Sequence, residues 1–463
     1  MGGRKLTELD DLRLLYRGNR MLSDLFSKSV HSIRQLAVDD AAAKGYYRFL
    51  QNDRVSEDDL VTNLASNCMA ACKGHPVVCI QDTTEINLSS HSNRLRKDRL
   101  IGTTNANNTQ GLGFFLHPSL VLDAQTGVPH GYAAIKVWNR SQHFCSKHER
   151  DYSQLPIEQK ESYRWIEVSN QTKALLRDVV PNLVIIQDRE GDIYDQFACI
   201  PDATTDLLIR AKTNRVLMDG SRLFDCLADA PVEGRYTITV EARNGRKKRS
   251  AQIEIKYKPV SLRRPRDAGK LLPAIVPVYV IEAMEVGYTG ADKICWRLLT
   301  SIPVESVQVA QLCIEWYSWR WTIEEVFKIL KKEGYNIEAS ELEYAASVRK
   351  MCLLILEAII QLFLMRISYA EPELEIAADS CFNQTEQIFL EHQIQVLEGK
   401  TEKQKNPFKH KDLKRYTWAI ARLGGWKGYE SNRHPGITTL YIGLKHFKAA
   451  MQGWEIHKNV STR

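Results

Sequence analysis

The sequence predicts an α/β protein in which a mixed β-sheet is flanked by helices. Two apolar runs, PVVCIQD (76–82) and NLVIIQD (182–188), have the length and the Val/Ile content of strands that are buried on both faces. Together with the segments around them, these runs give the order strand, hairpin, helix, strand, helix, strand, as in a mixed sheet covered by helices. With 463 residues and 44% hydrophobic residues, the chain is long and apolar enough for two or three domains.

Residues 1–75 are predicted to be a helical N-terminal region. The segment SEDDLVTNLASNCMAAC (56–72) begins with a serine in the N-cap position, has acids in its first turn and continues with an apolar stripe. The charged stretch before it is also expected to be helical. No aromatic or glycine pattern in this region identifies a DNA-binding motif by spacing alone.

Residues 76–369 are predicted to contain the sheet. LGFFLHPSLVLDAQTGVPHGYAAIKVW (112–138) is interpreted as two strands around a turn at DAQTG, and ESYRWIEVSNQTKALLRDVV (161–180) as a helix. DLLIRAK (206–212) and ICWRLLTSIP (294–303) have strand character. MCLLILEAIIQLFLM (351–365) is too short to span a membrane and contains Glu357, so it predicts a buried helix.

Two further regions complete the predicted organisation. Residues 213–295 are interpreted as a β-rich insertion, because the alternating segments RYTITVEA and AQIEIKY flank NGRKKRS, whose Asn-Gly pair is typical of a tight hairpin turn. Residues 370–463 are expected to form a smaller, mostly helical C-terminal region.

Positive charge is concentrated in two blocks. The formal net charge is only +7, but residues 235–270 contain 12 Lys/Arg against 3 acids, and residues 400–463 contain 14 against 4. Such blocks are typical of surfaces that bind polyanions, most often nucleic acid. The alternative for either block is a solvated surface that keeps the protein soluble.

The chain has features expected of a cytoplasmic protein. Its N-terminus, MGGRKLTELDDLRLLYRGN, is polar and lacks the apolar core of a secretory signal. The 10 cysteines are scattered without a CxxC pair, which fits a reducing compartment. We therefore expect no membrane partner.

Three carboxylates are the candidate catalytic residues. Asp82 and Asp188 each end a predicted strand, and in open α/β sheets ligands gather at the carboxyl ends of strands. Glu324 lies in YSWRWTIEEVFKILKKEG (317–334), which predicts one continuous helix. If the two strands are neighbours, the three acids form an all-oxygen site of the kind that Mg²⁺ or Mn²⁺ prefers. Alternatively, each acid is a helix cap or an ion-pair partner.

The predicted helix places cations and a phenol beside Glu324. At 100° per residue, five side chains fall within about 80° of arc, as suits a metal-bound phosphate. They are Tyr317, Arg320, Glu324, Lys328 and Lys331. By the same periodicity Glu325 lies outside this stripe and is expected to be dispensable, while Glu190 and Asp192 are expected to support or cap the turn at Asp188.

These blocks resemble the cut-and-paste transposases of the insertion sequence 4 family, which includes the transposon 5 transposase. QDTTEI and IIQDREGDIYD match two of the family's blocks, and the third matches its Y-x2-R-x3-E-x6-K signature at Tyr317, Arg320, Glu324 and Lys331. Similarity extends to YYRFLQNDRVS (46–56) and to the segment around Trp296 and TSIPVES, so that it covers most of residues 10–365.

The resemblance implies an RNase H-like catalytic core with an inserted β domain. It implies that Asp82, Asp188 and Glu324 are the catalytic metal ligands, with two Mg²⁺ ions per site and Mn²⁺ as a substitute. Residues that hold DNA phosphates would be Tyr317, Arg320, Lys331 and, by alignment, Arg210; Lys328 matches a basic family position outside the signature. Trp296 aligns with a tryptophan that stacks on a flipped base, the alternative being a core tryptophan on a strand.

The leading hypothesis is a DDE transposase. It would bind terminal inverted repeats through residues 1–75, cut double-stranded DNA by nicking and a hairpin intermediate, and join the 3′ ends to target DNA. A homodimer is implied, with residues 370–463 contributing dimerisation and DNA contacts, and the protein would be associated with the bacterial nucleoid. Two alternatives remain: a catalytically silent DNA-binding inhibitor or domesticated derivative, and a metal-dependent nuclease without strand transfer.

Overall fold

A computed structural model describes residues 3–96, 98–105, 111–141, 155–228, 230–240, 247–371, 373–428 and 434–461. Four helices precede the sheet. They are α1 (Leu12–Lys28), α2 (Ile33–Leu36), α3 (Asp40–Leu50) and α4 (Glu57–Cys72). Helix α4 begins as predicted, because Ser56 and Asp59 form a capping box in which each side chain accepts a hydrogen bond from the backbone N–H of the other.

One mixed sheet forms the centre of the described part of the chain. Its strands are β1 (Val77–Gln81), β2 (Thr84–Asn87), β3 (Gly113–Asp123), β4 (Pro129–Trp138), β5 (Leu183–Gln187), β6 (Thr205–Arg210), β7 (Gly234–Val240), β8 (Arg249–Arg263), β9 (Ile275–Glu285) and β10 (Cys295–Thr300). The spatial order is β2-β3-β1-β5-β6-β10-β9-β8-β7, with β4 on the other edge of β3. Strands β1, β5 and β6 are parallel neighbours, and the other pairings are antiparallel.

The predicted β-rich insertion does contain strands, but they continue the central sheet. Strand β10 pairs with β6 on one side and with β9 on the other, so β9, β8 and β7 extend the same sheet. Strands β7 and β8 form an antiparallel hairpin as predicted. Residues 241–246 of its basic turn lie outside the described residues, and Arg249 is already the first residue of β8.

Helices cover the sheet and form the C-terminal region. They are α5 (Tyr163–Leu176), α6 (Tyr194–Cys199), α7 (Asp225–Ala228), α8 (Val307–Ser318), α9 (Trp321–Lys331), α10 (Ala345–Ala370), α11 (Gln384–Leu397), α12 (Leu413–Leu423) and α13 (Ile437–Ser461). The prediction of one continuous helix through the signature block is wrong. The chain tightens at Trp319 and Arg320, where the N–H of Arg320 donates to the carbonyl of Tyr317 only three residues earlier.

Helix α10 is the central buried helix, as its composition predicted. It is long and apolar enough to cross a membrane, but 89% of its most apolar window is buried inside the fold. Its one fully buried acid, Glu357, is paired with Arg4 at 3.0 Å, which satisfies a charge that burial would otherwise penalise. Helices α1, α3, α4, α9, α12 and α13 all pack on α10. The N-terminal and C-terminal helices therefore share one core with the sheet.

Candidate functional site

Asp82 and Asp188 lie side by side at one edge of the sheet. Strands β1 and β5 are parallel neighbours in which Ile80 pairs with Ile186, so the residues that follow them are level. The condition that the sequence left open, that the two strands are adjacent, is met. Strand β1 also ends where β2 begins, because both pair with successive parts of β3, so Asp82 occupies the bend between them.

Arg210 and Trp296 extend this edge. Arg210 is the last residue of β6, which is parallel to β5, and it pairs with Leu298 of β10. Trp296 therefore lies just beyond Arg210 along the sheet edge. Its half-buried indole meets the ring of Tyr317 edge to face, with ring centres 5.2 Å apart. Arg210 donates to the carbonyl of Cys295 at 3.4 Å.

The bend between α8 and α9 brings two signature residues to the aspartates. The hydroxyl of Tyr317, at the end of α8, donates to Asp188 Oδ1 at 3.0 Å. Arg320, in the bend, bridges two acids: Nη1 lies 3.4 Å from Asp82 Oδ2 and Nη2 lies 2.7 Å from Glu324 Oε1. The side chain of Arg320 is only 6% exposed, so this cation is held inside the site rather than in solvent.

Burial and like charge perturb two groups of the site. Burial raises the pKa of Asp82 to about 6, and the nearby carboxylates of Glu324 and Asp188 add to the increase, against the N–H of Thr83 and the guanidinium of Arg320. Burial, reinforced by Asp188, raises the pKa of Tyr317 to about 12, so its hydroxyl stays protonated and can donate. Burial thus disfavours the charged form of Asp82 more than its hydrogen bond and the guanidinium of Arg320 favour it.

The remaining predicted residues occupy different positions along α9. Lys328 is exposed and pairs with Glu333 at 2.7 Å, whereas Lys331 is half-buried and lies 3.4 Å from Glu338. Glu325 points away from the site and forms an ion pair with Arg366 of α10. The structure therefore brings Glu324, and not its neighbour, to the aspartates.

The acids after Asp188 are held by arginines. Glu190 pairs with Arg164 at 2.6 Å, and Asp192 pairs with Arg215 and accepts a hydrogen bond from the backbone N–H of Lys212 at 2.7 Å. These contacts match the supporting role that was predicted for both acids.

Asp82, Asp188 and Glu324 have only carboxylate oxygens to offer a cation. Among the residues that the structure describes, no three His, Cys, Asp or Glu side chains form a closed metal cluster. The guanidinium of Arg320 lies between Asp82 and Glu324 instead, where it supplies the positive charge. Carboxylate oxygens suit Mg²⁺ or Mn²⁺ rather than a soft metal.

Sequence reasoning missed the residues that surround the two aspartates. Gln81 and Gln187 precede Asp82 and Asp188 and are fully buried. Gln187 Nε2 donates a hydrogen bond to Gln81 Oε1 at 2.8 Å. Thr83 contacts Arg164. The one signal available in the sequence was the repeated Gln-Asp pair at the ends of both strands.

Comparison with known proteins identifies two domains. A cryo-EM structure of the piggyBac transposase synaptic complex with hairpin DNA is similar over 80% of this chain and 68% of that chain, at 9% sequence identity and a TM-score of 0.35. Residues 5–55 match the family model described as transposase DNA-binding, and residues 169–360 match the transposase DDE domain. The second match contains Asp188 and Glu324 together with the β strands between them. DDE transposase domains use divalent metal ions. The chain is therefore a DDE transposase, an enzyme that cleaves DNA and transfers strands.

Proposed function

We propose that this enzyme excises a mobile element at its terminal inverted repeats and joins the 3′ ends to target DNA, with Asp82, Asp188 and Glu324 as the catalytic carboxylates. The observation that carries the proposal is their convergence: two acids on adjacent parallel strands, and a third linked to Asp82 through Arg320. The proposal also assigns the chain to the insertion sequence 4 family, near the transposon 5 transposase, with residues 213–295 as its β-rich insertion.

The three carboxylates would hold two Mg²⁺ ions, for which Mn²⁺ substitutes. Two such ions stabilise the attacking and leaving oxygens of a phosphodiester during in-line displacement. The raised pKa of Asp82 supports this assignment, because it reflects a carboxylate that more positive charge would stabilise. Arg320 would then exchange its carboxylate partners for a DNA phosphate.

The other signature residues would position the DNA strand. Tyr317 donates to Asp188 and so fixes one carboxylate, while its ring supports Trp296. Arg320 lies between two of the carboxylates, Arg210 ends β6 and Lys331 ends α9. All three would contact phosphates beside the cut bond, since phosphate contacts set position and register. Lys328 is exposed on α9 and would contact the DNA strand away from the cut bond.

Trp296 would stack on a base flipped out of the duplex. Its indole is half-buried at the sheet edge and rests on Tyr317, so one side of the ring system is supported by protein. Stacking of a base on an aromatic side chain contributes about 1–3 kcal/mol, which offsets part of the cost of unstacking. That contribution matters most when the strand bends sharply.

The proposed reaction course has a hairpin intermediate. Water first attacks a phosphodiester at the element end and leaves a free 3′-OH. This hydroxyl attacks the opposite strand, which forms a hairpin and releases flanking DNA. Water reopens the hairpin, and the 3′-OH then attacks target DNA. Each step is a displacement at phosphorus in the same site, so one set of carboxylates suffices.

The assembly would be a homodimer that pairs two element ends. Residues 1–75 would bind the inverted repeats, residues 76–369 would carry out catalysis, and residues 370–463 would contribute dimerisation and DNA contacts. The enzyme would act in the bacterial cytoplasm on DNA of the nucleoid.

The test is cleavage and joining of cognate ends. The DNA that flanks the gene is searched for matched inverted repeats, and a labelled end is incubated with protein and Mg²⁺ or with EDTA. We expect Mg²⁺-dependent nicked, hairpin and blunt products, followed by joining of the labelled 3′ end to a plasmid. Cleavage without joining would favour the nuclease alternative, and metal-independent cleavage would contradict the proposal.

A further inference from the structure

Arg164 joins the two turns that carry Asp82 and Asp188. It lies near the start of α5, where its Nε donates to Thr83 Oγ1 at 3.0 Å and its Nη2 donates to Glu190 Oε2 at 2.6 Å. Thr83 directly follows Asp82, and Glu190 lies two residues after Asp188. Because a guanidinium is planar and rigid, one side chain sets a distance between both turns.

Thr83 transmits this contact to Asp82. Its backbone N–H donates to Asp82 Oδ1 at 2.8 Å, and its hydroxyl lies 2.8 Å from Nδ1 of the fully buried His117. Burial holds the pKa of His117 well below its usual range, so the ring is neutral and Nδ1 can accept the hydroxyl hydrogen. Both the backbone and the side chain of Thr83 are thereby oriented.

A second link joins the residues that precede the aspartates. Gln187 Nε2 donates to Gln81 Oε1 at 2.8 Å and to Ser169 Oγ at 3.1 Å, and Gln187 Oε1 accepts from Gln196 at 2.9 Å. Successive side chains along a strand point to opposite faces. Helix α5, which carries Ser169, thus fixes the two strand ends from the face opposite to Tyr317 and Arg320.

We propose that Arg164 is a positioning residue that sets the separation of Asp82 and Asp188. The hydrogen-bonded Gln81–Gln187 pair holds the two strand ends together beside it. The proposal rests on the proposed function, because that separation matters only if the two carboxylates share metal ions. Residues that orient metal ligands typically change metal affinity 10- to 100-fold when they are replaced. Arg164 itself touches neither the ions nor the reacting phosphate.

The experiment removes the bridge that Arg164 forms between Thr83 and Glu190 while it keeps the positive charge. Arg164→Lys retains a cation but cannot span Thr83 and Glu190, and Thr83→Val removes the hydroxyl at nearly constant shape. Arg177→Lys is the matched control, since Arg177 follows the same helix, is 65% exposed, and lies 3.5 Å from Asp178. Binding of Mn²⁺ to the DNA-free protein is measured by electron paramagnetic resonance, beside affinity for end DNA and single-turnover cleavage.

We expect Arg164→Lys to weaken Mn²⁺ binding by about 10- to 100-fold, with end-DNA affinity within about twofold of the wild type. Cleavage should fall at low Mn²⁺ and recover partly as Mn²⁺ is raised. Thr83→Val should act in the same direction, and the double variant should be no worse than Arg164→Lys, because both changes break one bridge. Arg177→Lys should behave like the wild type.

Two results would overturn the inference. Unchanged Mn²⁺ binding in Arg164→Lys, accompanied by weaker DNA binding, would make Arg164 a phosphate contact. Additive losses in the double variant would mean that Arg164 and Thr83 act independently. If the proposed function itself is wrong, Asp188→Ala should bind Mn²⁺ as well as the wild type does. That result is distinct from both outcomes above.

Discussion

The two halves of the sheet are built differently. On the catalytic half, every residue of β1, β3 and β5 is buried, because helices or neighbouring strands cover both faces. On the other half, β7 and much of β8 alternate between covered and open positions, with Arg235, Thr237 and Thr239 exposed on β7. The covered half holds acids in fixed positions, and the open half leaves a polar face free to contact another molecule. Rigid positioning and accessible surface are thus provided by different strands of one sheet.

The sharpest test of this division is removal of an acid from each half. Asp82→Ala, Asp188→Ala and Glu324→Ala should each reduce cleavage by about a thousandfold or more, because a lost metal ligand removes several kcal/mol of transition-state stabilisation. End-DNA binding should survive, since phosphate contacts dominate affinity.

Two matched controls accompany these variants. Glu325→Ala breaks the ion pair with Arg366, and Glu254→Ala removes the half-buried partner of the exposed Arg235 on the open half. Both should cleave at nearly the wild-type rate in the same single-turnover assay. If Glu325 proves essential and Glu324 dispensable, the assignment of the third carboxylate is wrong.

Trp296 lies where the two halves meet, and its removal should affect one step more than another. Trp296→Ala should slow hairpin formation or opening by roughly 5- to 150-fold, and slow the first nick less, because only the bent strand requires the stacked base. Single-turnover cleavage that resolves nicked, hairpin and blunt products measures both steps.

An abasic end provides the control for Trp296. A substrate that lacks the flipped base should partly rescue the variant, because nothing remains to unstack. Equal losses in nick and hairpin rates, without rescue, would indicate that Trp296 only supports Tyr317 and the core.

Burial of the Asp82 carboxylate in the covered half should lower the stability of the folded protein at neutral pH. The pKa of Asp82 is about 6 in the folded protein, against 3.8 for an unperturbed aspartate, so the folded state favours the protonated carboxyl. Stability contributed by this group is present at low pH and is lost as pH rises from about 4 through 6.

Asp82→Asn should therefore stabilise the metal-free protein by about 1–3 kcal/mol at pH 7 and by almost nothing at pH 4. Urea unfolding of both proteins in EDTA across this range measures the difference. A difference that does not change with pH would mean that Asp82 is not the group responsible.

The smallest expected effect concerns the basic tip on the open half. Neutralising Lys247 and Lys248 should make DNA binding less dependent on salt, by about one unit of slope per lost phosphate contact. Arg249 is the internal comparison, because it pairs with Glu285 and Asp292 within the fold and its replacement should affect stability instead. An unchanged slope would assign the tip to a solvated surface.

Prediction from sequence succeeded where a pattern is local. The continuous runs that became β1 and β5, the alternation in β7 and β8, and the capped start of α4 were all identified. Strand β9 was not identified separately within residues 213–295, and the segment PVVCIQDTTEI was interpreted as one strand although β1 and β2 are separated at Asp82. The break before Arg320 was missed because both sides of it keep helical periodicity.

The roles predicted for the site residues stay predictions, but the structure shows where these residues lie. Asp82, Asp188 and Glu324 were named from strand ends, a helical stripe and the family signature, and the structure brings them together. Arg164 was not named, because its partners Thr83 and Glu190 lie 81 and 26 positions away in sequence. Such contacts are produced by packing of α5 on the sheet and leave no periodic trace.

The shared packing on α10 should hold the matched DNA-binding region and Glu324 at a fixed separation. The transposase DNA-binding match at residues 5–55 includes α1 and α3, and both pack on the same helix as α9, which carries Glu324. If one subunit both binds and cuts the same DNA end, we expect the distance between the recognised bases and the cut bond to be fixed by this packing. A DNA end can be given an extra base pair between the recognised bases and the cleavage site. The cut should then stay at the same distance from the recognised bases, and so fall inside the element rather than at its boundary.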